Sequence, residues 1–162
     1  QYSKAGEFIY DRPFLWGSKR TGPDLHREGG KNPSSWHYKH MLNPRVTSAG
    51  SIMPRYPWLI ARDLDRSQMV DKIKLMKNVF DVPYTQAQVD SADTWADNQA
   101  KVIVNQIYSE AADVKKAYAE RKERDGANFV PLEKKEIVAL IAYLQRLGTD
   151  IKTTEIKTAS TK

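Results

Sequence analysis

No cysteine occurs among the 162 residues of the chain. That excludes disulfides, zinc–thiolate sites and thiol catalysis within it. It also excludes covalent attachment of a c-type haem, which requires Cys-x-x-Cys-His. Long apolar runs are absent, so no stretch reads as a membrane span, and no signal-peptide pattern opens the chain. A nucleophile motif and a Gly-rich anion cradle are both missing, which leaves a hydrolase built on His37 or His40 and a carboxylate with little support. Strand signals are few, and the expected fold class is mainly α. Proline and glycine become scarce after the first third, because six of eight prolines and six of eight glycines fall within residues 1–60.

What is present suffices for one folded domain: 28% of residues are charged and 40% hydrophobic. The net charge is +6 and the sequence pI about 9.4. A basic balance suits nucleic acid, an anionic membrane or an acidic partner. Here the basic residues are scattered. The densest run, Lys115, Lys116, Arg121, Lys122 and Arg124, is interleaved with Glu120, Glu123 and Asp125. That pattern is a solvated helix face, and no nucleic-acid partner is expected.

Residues 1–60 read as irregular segments rich in aromatics. Within them, Ser34 or Ser35 is placed to cap a short helix through Trp36, His37, His40, Met41 and Leu42 that ends before Asn43-Pro44. Further on, Met69, Ile73, Met76 and Phe80 fall on one helical face, with Asp65 as the expected cap and Val82-Pro83 as the stop. Thr85-x-x-Gln88 is a capping-box pattern. One long helix is expected over about residues 91–124, with Trp95, Val102, Ile103, Ile107, Ala111, Val114 and Tyr118 as its stripe and Asp125-Gly126 as its stop. Its charged faces place it on the domain surface. A last helix follows Pro131, with Ile137, Leu140, Ile141, Leu144 and Leu147 as its core face and Gly148 as its end. The polar, threonine-rich residues 149–162 read as a flexible tail.

The stretch Ser51-Ile52-Met53-Pro54-Arg55-Tyr56-Pro57-Trp58-Leu59 stands out. Two prolines three residues apart forbid a regular helix or a central strand, yet the segment is strongly apolar. Pro54 forces Met53 towards an extended backbone, a stiff mount for a thioether. A thioether either fills a core gap or serves as a soft metal ligand. His37 and His40, three apart, share a helical face, but two imidazoles without a third ligand point to structural roles for both, as for His26.

Three marks in order, Thr21-Gly22-Pro23-Asp24-Leu25, the Met53 segment and the Glu136–Gly148 helix, resemble a class I cytochrome c domain. Ala5-Gly6-Glu7-Phe8, Asp11-Arg12-Pro13-Phe14, Trp16-Gly17-Ser18-Lys19-Arg20, Trp36-His37 with His40, Asn43-Pro44-Arg45 and Met53-Pro54-x-Tyr56-Pro57-Trp58-Leu59 bring the likeness closer. Together they resemble the membrane-anchored mono-haem cytochrome c subunit, of the FixO or CcoO type, of the cbb-type haem–copper oxidases. The resemblance covers about residues 1–90 and 129–149 of this sequence.

It implies a cytochrome c-like domain over residues 1–148 with long irregular loops and an inserted surface helix at about 92–128, its N-terminal helix missing. The family's Cys-x-x-Cys-His follows a transmembrane helix, and the chain is expected to begin just past it, as a piece of a longer parent. On this basis haem c belongs to the intact parent, with weak non-covalent binding at best by the chain itself. Met53 corresponds to the iron's axial ligand, and Pro23 to the turn whose carbonyl accepts from the haem histidine. Trp16, Tyr56, Trp58 and Tyr143 correspond to the haem surroundings. Arg45, with Arg12, Arg20 and Arg55, is a candidate for the haem propionates. The implied function is electron transfer within a respiratory terminal oxidase, on the periplasmic side of the inner membrane. Expected partners are the other oxidase subunits and a donor cytochrome. The chain is not expected to be catalytic alone. Its last helix is expected to leave an apolar face open to self-association. The alternative is a haem-free docking module of a membrane respiratory complex.

Overall fold

The computed structural model describes residues 22, 23, 25 and 28–149. Trp16, His26 and the tail beyond Thr149 lie outside the described residues. Two compact units divide the chain, residues 32–143 and residues 1–31 with 144–162. Eight helices order the described residues: α1 (Ser34–Leu42), α2 (Pro44–Thr47), α3 (Trp58–Ala61), α4 (Met69–Val79), α5 (Gln86–Asp90), α6 (Ala92–Glu110), α7 (Ala112–Asp125) and α8 (Glu136–Arg146). Extended pairing among them is limited to an isolated antiparallel bridge between Asp63 and Lys135. The fold is mainly α.

The core of the 32–143 unit is built by α1, α6, α7 and α8. Tyr38, Ile103, Val104, Ile107, Ala111, Val114, Tyr118, Leu132, Ile137, Val138 and Ile141 form one buried cluster, with Ile60 of α3 joining it. Helix α6 packs against α1 and against the turn Leu132–Lys134 that leads into α8, and its Ile and Val side chains share one cluster with Ile137, Val138 and Ile141. The expected surface position of residues 92–128 holds for their charged faces. The apolar stripe, however, is the centre of this unit. The single long helix is corrected, since it breaks at Ala111 (φ −133°, ψ 81°). A straight helix over this span would run roughly 50 Å, far past α1. The break returns Val114 and Tyr118 to the same core as Ile103 and Ile107. Polar ties from α1 hold the bend: Ser34 Oγ donates to Gln106 Oε1 at 2.8 Å, Ser35 N–H to Glu110 at 3.3 Å, and Lys39 to Asp113 at 3.2 Å. Trp95 and Val102, assigned to the stripe from spacing, are exposed instead.

Ser34 lies inside α1 and caps nothing, because Pro33 occupies the N-cap. Asp65 likewise does not cap α4. Its carboxylate accepts the Ser67 N–H at 2.9 Å, which makes a turn, and Gln68 takes the cap position. Helix α4 buries none of its residues: Met69 and Ile73 are half-buried, while Met76 and Phe80 of the expected apolar face are exposed. The capping box at α5 forms as expected. Thr85 Oγ1 accepts from Gln88 N–H at 3.3 Å and Gln88 Oε1 from Thr85 N–H at 2.9 Å. Gly126, at φ +52°, closes α7.

The expectation of an open apolar face on the last helix is corrected as well. Ile137, Val138, Ile141 and Leu144 are buried and Leu140 and Leu147 half-buried, so this face is not open. A strap fixes the start of α8: Leu64 N–H donates to Lys134 carbonyl at 2.7 Å, and Lys135 Nζ reaches Asp63 at 2.6 Å. In the other unit, Gly29 N–H donates to Leu147 carbonyl at 3.0 Å. A β-carbon at Gly29 would collide with the carbonyls of Leu147 and Gln145, which is why glycine stands there.

Three phenols share the core. Burial, with the Tyr118 phenol beside it, pushes Tyr38 well above its ordinary value. Burial, the Glu133 carboxylate and Tyr118 push Tyr108 up to about 12. Folding thus favours the neutral phenols. Their contribution is intact below the ordinary phenol pKa of about 10 and is lost as pH rises through the folded-state values. Denaturant midpoints are expected to fall steadily above about pH 10, with a shallower fall in Tyr38→Phe.

Candidate functional site

The segment that carries Met53 is a closed loop. Tyr56 N–H donates to Met41 carbonyl at 2.9 Å, so the chain leaves the end of α1 and returns to it. Inside the loop, α2 is pinned by its own short bonds. Ser48 N–H donates to Pro44 carbonyl and Ser51 N–H to Ser48 carbonyl, both at 2.9 Å. Met53 N–H donates to Ser51 Oγ at 3.2 Å, which fixes the backbone just ahead of Pro54. Pro57 then occupies the N-cap of α3, whose Ile60 and Leu59 anchor this end to the core. The double-proline signature therefore yields a stiff, irregular loop clamped at both ends.

Met53 is half-buried. Tyr56 and Trp58 meet edge to face beside it in sequence, with ring centroids 5.1 Å apart. Arg45 sits exposed on α2, within the same closed loop. Pro23, in the other unit, is exposed. Tyr143 is exposed on α8 and makes no ring contact among the described residues. So the structure brings Met53, Tyr56, Trp58 and Arg45 onto one loop and its exit. It gives Tyr143 no such association. Of the other methionines, Met41 packs against the core, and Met69 and Met76 stand on α4.

Spacing alone does not disclose the aromatic bracket on α1. Trp36 stacks on His40 (centroids 4.4 Å, planes 11° apart) and meets His37 edge-on at 5.3 Å. His37 is buried, and His40 Nδ1 bonds Thr47 Oγ1. Thr47 Oγ1 gives its own proton to Pro44 carbonyl at 3.1 Å, so the imidazole is the donor in this bond. His40 is thereby a tie between α1 and α2, and the four-residue step from Trp36 to His40 is the one sequence signal of it. Among the described residues no group of three or more His, Cys, Asp or Glu is disposed to hold a metal ion. None of their helices is long and apolar enough to cross a membrane.

The donor chemistry fits one side of a haem: a soft thioether on a stiff mount, two aromatic rings and guanidinium groups on the same loop. A covalent tether cannot come from a chain without cysteine. The imidazoles of α1 are engaged in packing and in the tie to α2.

The family model described as "FixO: Cytochrome C oxidase, mono-heme subunit/FixO" matches residues 1–151, including the whole of 92–128. No curated protein matches the chain.

Proposed function

The chain belongs to the FixO family, the mono-haem subunits of cytochrome c oxidase, and from that premise we propose that it forms the distal half of a haem c site, with Met53 as the iron ligand. Membership makes other oxidase subunits its partners and electron transport in a membrane-bound oxidase its setting. A haem with histidine and methionine ligands supplies one-electron redox chemistry at a raised potential. This chain's own part is to present the thioether, hold it and dry its surroundings. The clamp from Tyr56 to Met41 and the bond from Met53 N–H to Ser51 limit how far the sulfur can move. Tyr56 and Trp58 would exclude water from one edge and lower the local dielectric, and Arg45 or Arg55 would offset propionate charge. By the resemblance alone, Pro23 would orient the opposite ligand by accepting from its ring N–H, and Trp16 would add to the apolar surroundings. In this reading the subunit relays single electrons from a donor cytochrome, on the periplasmic side, to the haem–copper core.

The single observation that carries this reading is the clamped Met53 loop within a matched mono-haem subunit. It is tested by adding the haem-bearing subunit back to oxidase depleted of it. Oxygen uptake with a reduced cytochrome donor should return with the natural subunit and stay below a tenth of that rate, roughly, with Met53→Ala. Equal recovery with both would overturn the assignment.

A further inference from the structure

We propose that the loop from Leu42 to Arg55, with the exit through α3 to Arg62, is a docking surface for an acidic electron-transfer protein. The proposal rests on the electron-relay reading above and adds the kind of partner and the residues that meet it.

Four observations converge. First, the loop is a compact closed unit, its ends joined by the bond from Tyr56 to Met41, and such loops commonly carry function. Second, it presents apolar side chains to solvent: Ile52 is 87% exposed, Val46 67%, and Leu42 and Trp58 more than two-fifths. A stiff loop holding a branched aliphatic side chain almost wholly in water invites a cover. Third, from Met41 to Arg62 there is no Lys, Asp or Glu, while Arg occurs three times, Met twice and Tyr and Trp once each. That is the composition of protein interfaces, enriched in aromatics, Met and Arg and depleted of Lys, Asp and Glu. Fourth, no acidic residue occurs from Gly29 to Arg62. Arg45, Arg55 and Arg62 are exposed and have no carboxylate partner among the described residues. Elsewhere Arg66, Lys39 and Lys135 are each neutralised by an aspartate.

Even with Arg45 or Arg55 turned to a propionate, the other exposed guanidinium groups, without a carboxylate among the described residues, ask together with the apolar side chains for carboxylates on the partner. Arginine forks match carboxylates in pairs, and opposite charge speeds encounter. A lipid surface fits less well. Interfacial binding uses an amphipathic helix with a broad apolar face and a Lys/Arg-rich polar face, whereas the one helix inside this loop, α2, spans only Pro44–Thr47.

The test titrates the haem-bearing subunit with an acidic and with a basic class I cytochrome c, by calorimetry, across ionic strengths. The acidic protein should bind, and its Kd should rise about tenfold or more as added salt shortens the Debye length from about 30 to about 8 Å. Arg62→Glu, outside the haem-facing set, should weaken binding several-fold at low salt and flatten the salt slope. Ile52→Asp should weaken it at every salt concentration. Equal affinity for the two cytochromes, or indifference to both substitutions, would overturn the proposal. So would binding of anionic phosphatidylglycerol vesicles, lost in Arg62→Glu, without binding of the acidic cytochrome. The ligand reading stands or falls separately. It fails if Met53→Ala leaves the ferric haem spectrum unchanged, whatever the salt dependence of docking.

Discussion

Ile107→Ala is expected to lower the free energy of unfolding by about 2–5 kcal/mol, read as a drop in the urea midpoint with little change in slope. Ile107 is fully buried in the last turn of α6, within the cluster that joins Tyr38 of α1 to Ile137, Val138 and Ile141 of α8. Truncation there removes buried methyl and methylene groups and leaves a cavity that packed neighbours cannot fill. Val102→Ala, on the same helix with its side chain largely in water, should change stability by less than about 0.5 kcal/mol. The contrast decides between two views of residues 92–128. If the segment were an appended surface helix, both substitutions would be mild. A large cost confined to Ile107 marks it as part of the folding core.

That distinction was only half legible in the sequence. The stripe Ile103, Ile107, Ala111, Val114 and Tyr118 has the spacing of a buried face, and it is buried. What periodicity cannot supply is the partner. The dense charge on the other faces suggested a surface position, but charge on one side of a helix is compatible with a core on the other. The break at Ala111 was hidden for a related reason. Neither proline nor glycine marks it, and it depends on ties to α1 far away in sequence, such as Lys39 to Asp113. Local signals fared better. The Thr85–Gln88 capping box, the glycine stops after α7 and α8 and the end of α1 at Asn43-Pro44 all form as read. Asp65 shows the limit of such signals. An acidic side chain three residues before a glutamine can cap a helix or close a turn ahead of it, and here it closes the turn.

For the site, the two prolines around Arg55-Tyr56 announced an irregular, rigid segment, and the clamp onto α1 gives that rigidity its cause. Which residues surround the thioether was less legible. Tyr56 and Trp58 share an edge contact a few residues after Met53 in the chain, whereas Tyr143 points to solvent from α8. An aromatic residue on a helix is placed by the rotation of that helix about its axis, which a one-residue ambiguity in spacing leaves open.

In the haem-bearing subunit, Met53→Ala is expected to lower the midpoint potential by about 0.1 V or more, within the roughly 0.8 V over which axial ligands set haem potentials. Thioether sulfur is a soft donor that favours the reduced metal, and its loss leaves the site to water or to another side chain. Met41→Leu should shift the potential far less, because Met41 packs against the core as an apolar side chain. Potentiometric titration of the three proteins separates loss of a ligand from a general loosening of the fold, since Met41→Leu would report the loosening alone.

The most direct measurement is the magnetic circular dichroism spectrum of the ferric haem-bearing subunit, in the region of the sulfur-to-iron charge-transfer transition, before and after Met53→Ala. The band should be present in the natural subunit, absent in Met53→Ala and retained in Met41→Leu. A band that survives Met53→Ala unchanged would contradict the assignment and place the iron's sulfur ligand elsewhere. A natural subunit without the band would show that its iron carries no methionine ligand.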